Sequence, residues 1–190
     1  MSVLALVLAA GAGRRFGSDK RLARLADGRG LLAASVERAQ ALFGEVWVVL
    51  REEDDPQALG LPPAVRPIRC ADAALGMGHS LAAGARALRE EPGEAMAVLL
   101  GDMPWVAPAT LQALQAAASA ERILFPLYRG ERGHPVLFGR RFWGELEALH
   151  GDQGARAVLA THPQACLGLE LDDPGVLRDV DEPQALIRVP

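Results

Sequence analysis

Cysteine is scarce in this sequence, and the two present, Cys70 and Cys166, form no CxxC unit and have no pair of histidines beside them. That excludes a disulfide framework and a structural zinc site as organising devices, and a reducing, cytoplasmic setting is the expectation. A surplus of positive charge is also missing. Twenty Lys and Arg face 24 Asp and Glu, for a formal net charge of -4, which argues against a nucleic-acid partner. The bases that exist crowd early, at Arg14, Arg15, Lys20, Arg21 and Arg24, so a local pocket for a phosphorylated ligand stays open. No apolar run reaches membrane-spanning length, and the opening run Val3 to Ala10 has no basic residue before it. It reads as a buried parallel strand rather than a signal-peptide core, and no membrane partner is expected. Repeats, low-complexity tracts and linkers are absent as well. "EEPGE" and "DDPG" are turn chemistry. With half of its 190 residues hydrophobic, the chain is read as one domain spanning residues 1–190.

What is present is an alternation. Short apolar runs ("VLALVLAA", "EVWVVL", "VRPIR", "AMAVLLG") take turns with amphipathic segments ("LLAASVERAQALF", "HSLAAGARALREE", "ATLQALQAAAS"). This predicts an α/β fold of three layers, with helices on both faces of a mostly parallel sheet. After Ile123 the rhythm changes: "ILFPLY" and "HPVLFG" are separated only by "RGERG", which predicts a β-hairpin extension. Helical segments near Phe142 to Leu149 and Ala155 to Thr161 and a strand at Leu167 to Leu171 complete the chain.

In such sheets ligands bind beyond the carboxyl ends of the strands, so the residues after each apolar run carry the functional question. The first loop, "LVLAAGAGRRFGSDK", starts like a dinucleotide fingerprint at Gly11 and Gly13 but has Phe16 in the third glycine's place, and no Gly-Lys-Ser/Thr follows. Its exposed backbone amides and the charges of Arg15 and Lys20 suit a triphosphate, and an ordinary strand-to-helix turn accounts for the same letters. "LLGDMPWV" places Asp102 at the tip of an apolar run, where it either caps a turn or binds a hard cation such as Mg²⁺. In "GMGHSL", Gly76 and Gly78 lead into a helix that Ser80 is positioned to cap. His134 in "GERGHPVLF", and Asp152 with Arg156 in "GDQGAR", read equally as turn and capping residues. Asp179 and Asp181 in "DVDEPQAL" lie on one side of an extended segment, ready either to join Asp102 at a metal or to start a last helix.

Taken together, "LAAGAGRRFGSDK", "GMGHSL", "LGDMPWV", "GHPVLF", "GDQGAR" and "DVDEP" occur in an order that resembles the molybdenum cofactor cytidylyltransferase family, from Leu4 to about Leu186. The resemblance implies a Rossmann-like nucleotidyltransferase fold and transfer of CMP from CTP to a molybdopterin-type acceptor, the product passing to a molybdoenzyme. It implies that Leu8, Ala9, Ala10, Gly11, Ala12 and Gly13 wrap the nucleotide and that Ser80 lies beside base and ribose. Arg15 and Lys20 would carry the triphosphate. Asp102, with Asp181 preferred over Asp179, would hold Mg²⁺ or else Mn²⁺, and His134, Asp152 and Arg156 would line the acceptor side. Three positions depart from the family's pattern, with Arg29 where a Lys, Gly30 where a Pro and Cys70 where an Asn is usual. Ala10 stands where guanylyl-transferring relatives carry Gly, and its methyl narrows the room for a purine, favouring cytidine. GTP, another phosphorylated acceptor such as a sugar phosphate, and a non-catalytic cofactor carrier are the alternatives.

Overall fold

The computed structural model of the chain describes residues 2–11 and 16–186. The four apolar runs of the first half form parallel strands β1 (Val3–Leu8), β2 (Val46–Arg51), β3 (Arg66–Cys70) and β4 (Ala95–Leu100), in spatial order β3-β2-β1-β4. The predicted hairpin follows as β5 (Ile123–Tyr128), β6 (Glu131–Arg132) and β7 (Val136–Gly139). It extends the same sheet: β7 lies antiparallel between β4 and β5. A final strand, β8 (Cys166–Glu170), runs parallel along the other edge of β5.

Alternation along β1 shows why helices must cover both faces. Val3, Ala5 and Val7 enter one apolar cluster with Leu32 and Val36 of α1 (Leu31–Phe43) and Leu111 and Leu114 of α3 (Pro108–Ala117). Leu4 and Leu6 enter a second with Leu81 and Ala85 of α2 (Met77–Ala87), Trp143 and Leu146 of α4 (Trp143–Glu147), and Val158 and Leu159 of α5 (Arg156–Thr161). Strands buried on both faces need apolar residues at odd and even positions alike, hence the continuous apolar runs. Gly84 lets α2 lie close on the sheet, since a Cβ there would meet the Leu6 side chain.

Two features of this frame place the site. Leu8 and Leu100 are register partners at the carboxyl ends of β1 and β4, and the Gly101 amide donates to the Leu8 carbonyl (3.0 Å). The loop after β1 and the turn holding Asp102 therefore leave the sheet side by side. The segment after β8 then crosses back to them. α3 starts at Ala107 and Pro108, which offer no capping side chain, and buried Asp173 does it from afar, accepting from the Ala107 amide (2.8 Å) and the Thr110 hydroxyl (2.7 Å). The backbone continues past Val176, whose carbonyl accepts from the His134 amide (2.9 Å), to Val180, whose amide donates to the Asp102 carbonyl (3.0 Å).

The β7 side of the second cluster is anchored by Phe138, 1% exposed. Replacing it with alanine is expected to cost about 3–5 kcal/mol, lowering the urea midpoint with an unchanged m-value, because the cavity left between sheet and α4 cannot fully collapse.

Candidate active site

The carboxyl ends of β1 and β4 open into a cleft of about 900 Å³. One wall is Leu8 to Gly11; the opposite wall is Ala73 to Met77 with Ser80; Gly101, Asp102, Lys20, Asp179 and Asp181 close one end, and Gly151 and Asp152 lie on the rim. Of the sequence-derived site residues, Leu8, Ala9, Ala10, Gly11, Lys20, Ser80, Asp102, Asp152, Asp179 and Asp181 share this one cleft. Ala12, Gly13 and Arg15 lie outside the described residues.

The charged end is built around Lys20. Its ammonium donates to Asp102 Oδ2 (2.6 Å), Asp181 Oδ1 (3.1 Å) and the Val180 carbonyl (3.1 Å). Burial would lower its affinity for a proton, but the Asp102 and Asp181 carboxylates outweigh that and hold it above its ordinary pKa. Carboxylate oxygens of Asp102, Asp179 and Asp181 lie within 4.8 Å of one another. Asp179 is pushed above the usual carboxylate range by burial first and then by the neighbouring Asp181 and Asp102. Three hard oxygen donors with crowded negative charge suit a divalent cation.

Lys20 owes its direction to its two neighbours. Asp19 caps a short turn over Lys20–Leu22, accepting from the Arg21 amide (3.1 Å). The Arg21 guanidinium is then clamped by Asp19 (2.6 and 2.8 Å) and Asp54 (2.8 Å) and donates to the Ala9 carbonyl (3.0 Å). Arg51, at the end of β2, donates to the Ala10 and Gly11 carbonyls (3.3 and 2.5 Å). The carbonyls of the first loop are thus tied down by two arginines, of which Arg21 also lines the cleft. Neither was expected from the sequence, because each works through a partner that is remote along the chain. The one local signal was the alternation Asp19-Lys20-Arg21, which sends one base into the cleft and the next against the acidic turn at Asp54.

The opposite wall is a dock between two glycine-rich turns. The Gly78 amide donates to the Gly151 carbonyl (2.8 Å). A Cβ on Gly78 would come to 2.5 Å from the His150 carbonyl oxygen, and one on Gly76, where φ is +129°, would collide with that of Gly151. "GMGHS" and "HGDQG" are therefore complementary surfaces. The expectation that Ser80 caps α2 is corrected: the helix begins at Met77 with Gly76 at the cap position and no side-chain cap. Ser80 instead lies inside the first turn, buried, on the cleft wall. Close by is Cys70, whose thiol is pushed up by burial. His134 lines an internal cavity of about 10 Å³ with Ser35 and Arg38 rather than the cleft, and burial lowers its pKa. Arg156 is exposed at the start of α5 and does not line the cleft either.

Comparison with known proteins bears on the family and the fold. The family described as "MobA-like NTP transferase domain" matches residues 5–166. Among curated proteins, the Bifunctional protein GlmU of Dinoroseobacter shibae is 38% identical over 126 residues, covering 63% of this chain and 27% of that protein. The chain thus matches only about a quarter of that relative's length. Among solved structures, Rv0371c from Mycobacterium tuberculosis superposes with a TM-score of 0.81 at 28% identity, covering 99% of this chain and 97% of that one. Its manganese complex gives 0.79 at 27%, with the same coverage. A nucleotidyl transferase from Methanothermobacter thermautotroptrophicus gives 0.82 at 25%, covering 98% and 95%. The fold is that of a Rossmann-like nucleotidyltransferase. Among the described residues no helix is long and apolar enough to cross a membrane.

The Arg21 clamp has a pH signature. Asp19 and Asp54 are both held below the ordinary carboxylate pKa: for Asp19 the Arg21 hydrogen bond leads, and for Asp54 burial opposes but Arg21 and the Arg51 amide outweigh it. A depressed carboxylate stabilises the fold above its unfolded pKa, about 3.9, and that contribution is lost as pH falls through the folded value. The stability gap between wild type and Arg21→Gln, read by urea unfolding, is therefore expected to be largest near neutrality and to narrow steadily below about pH 4.

Proposed function

Because the chain belongs to the MobA-like NTP transferase family, we propose that it transfers CMP from CTP to the terminal phosphate of a molybdopterin-type acceptor, releasing pyrophosphate. The observation that carries this reading is the meeting of Lys20 with Asp102, Asp179 and Asp181 at one end of a cleft walled by a glycine-rich loop. That arrangement serves phosphoryl chemistry, in which positioning and charge neutralisation supply nearly all of the catalysis.

In the proposed reaction an acceptor phosphate oxygen attacks the α-phosphorus of CTP, and the bond to the bridging oxygen breaks to free pyrophosphate. Leu8 to Gly13 hold base and phosphates through backbone groups, with Ala10 closing the wall against a purine. Ser80 stands beside base and ribose. Lys20 and Arg15 offset the charge that collects on the leaving pyrophosphate. Asp102 and Asp181, with Asp179 beside them, would hold a divalent cation, Mg²⁺ or Mn²⁺, which when bound supplies Lewis-acid neutralisation of phosphate oxygens. The acceptor approaches over the Gly151 and Asp152 rim; Arg156 and His134, which do not line the cleft, take no part in this reading. A molybdoenzyme is the proposed recipient of the product, and the cytoplasm the proposed setting.

Asp102→Asn is expected to lower CTP-dependent pyrophosphate release by about two to three orders of magnitude, the effect of losing one preorganised charge contact of about 3–4 kcal/mol, while the thermal unfolding midpoint stays within a few degrees. A near-normal rate in this variant would overturn the catalytic assignment. Mass-resolved assays with the molybdopterin acceptor are expected to show CTP consumed faster than GTP; the reverse order would replace cytidine with guanosine.

A further inference from the structure

Lys20 is the sole lysine among the 20 Lys and Arg of the sequence. Every other fixed cation of this protein is an arginine, including the ones that brace the first loop, so retention of an ammonium at this one position asks for a physical reason. Its surroundings supply one. A tetrahedral ammonium has three hydrogens and no acceptor, and here the three meet Asp102 Oδ2, Asp181 Oδ1 and the Val180 carbonyl. Two of those acceptors belong to the carboxylate cluster whose oxygens converge within 4.8 Å. The ammonium is a compact point charge on a flexible stem, whose three donors converge on closely spaced oxygens and can leave them by rotation of the side chain.

We infer that Lys20 is a placeholder for the divalent cation: in the metal-free protein its ammonium occupies the carboxylate cluster, and the cation enters only as Lys20 is released into the cleft. This rests on the nucleotidyltransferase reading for the far end of the motion, because a triphosphate in the cleft gives the released ammonium a new anionic partner. Lys20 lines the cleft and is partly exposed (16%), so the displacement needs only side-chain rotation. Its immediate neighbours, Asp19 and Arg21, stay locked in their own ion-pair clamp. Two consequences follow from linkage. The cation alone competes with a tethered ammonium and binds weakly, and cation and nucleotide each raise the other's affinity. Lys20 thereby couples metal loading to substrate arrival, so the free protein holds a cation more weakly than the substrate-bound one.

The test reads binding rather than turnover. Mn²⁺ is titrated into the full chain without nucleotide and followed by the electron paramagnetic resonance of the free ion, for wild type, Lys20→Gln and Lys20→Met. Both variants are expected to bind Mn²⁺ on the order of tenfold tighter than wild type. The gain persists in ~1 M salt, where through-space repulsion is largely screened. With α,β-methylene CTP present the gap closes, because wild-type Lys20 then has its second partner. Equal affinities without nucleotide, or a gain that disappears in salt, would overturn the inference. Wild-type protein provides a check that needs no variant. As the only lysine, Lys20 is a single reporter for reductive methylation, resolved from the N-terminal amine by peptide mass. Its reactivity is expected to rise several-fold on saturation with Mg²⁺ alone, and an unchanged rate would count against displacement. The nucleotide-free titration and the labelling test the placeholder; absence of CTP-dependent pyrophosphate release would instead sink the functional reading and leave the Mn²⁺ result standing.

Discussion

The ammonium of Lys20 joins three pieces of chain that lie far apart in the sequence. It comes from the turn after the first loop, Asp102 from the end of β4, and Asp181 from the segment beyond β8, and it draws all three together within 3.1 Å. Like charges crowd at Asp102, Asp179 and Asp181, and such a cluster is costly to assemble in a half-buried place unless a cation sits in it. In the metal-free protein the lysine supplies such a charge. The same requirement explains the elaborate support around it: Asp173 capping α3 and Val180 bonding to Asp102 bring the last segment back across the sheet, and the Asp19–Arg21–Asp54 clamp holds the turn that carries Lys20.

Seen from this point, the two walls of the cleft have different characters. The first loop is held from behind: its carbonyls are hydrogen-bonded to Arg21 and Arg51. The facing wall is held by steric fit between Gly76, Gly78 and the turn at His150–Gly151. A rigid backbone on both sides suits a ligand recognised through main-chain groups and shape, with charge concentrated at one end. The exposed apolar side chains Leu75 and Met77 on the second wall add a surface on which a flat ring can rest.

The architecture was largely legible in the sequence. The continuous apolar runs of β1, β2 and β4 announced strands buried on both faces, and the spacing of the amphipathic segments announced the helices that cover them. The hairpin was legible too, from the short "RGERG" spacer. The candidate site was legible in outline, because strand ends mark where ligands bind and Asp102 stands just past β4, whereas Lys20 and the Asp179/Asp181 pair lie well beyond β1 and β8 and were singled out by the resemblance of the segments that carry them. Ser80 shows where this reading stops. Its letter suggests a cap, but the steric demand of Gly76 and Gly78 against the 150–151 turn starts the helix earlier and leaves Ser80 on the cleft wall. His134 shows the same limit: a histidine beside a strand reads as a site residue, while its packing puts it over a small internal cavity.

By itself, then, the sequence determined the layered α/β frame and the chemical inventory of the strand ends, since hydrophobic periodicity and turn residues act locally and carry their meaning in adjacent letters. Which of those residues face one another was decided by the tertiary structure. Lys20 and Asp181 are 161 positions apart, and Arg21 and Asp54 are 33 apart. No local rule pairs such residues. Their meeting follows from a parallel sheet that gathers its carboxyl ends on one side and from a last segment pinned across it by Asp173 and Val180, which together turn scattered polar letters into one charged end of a cleft.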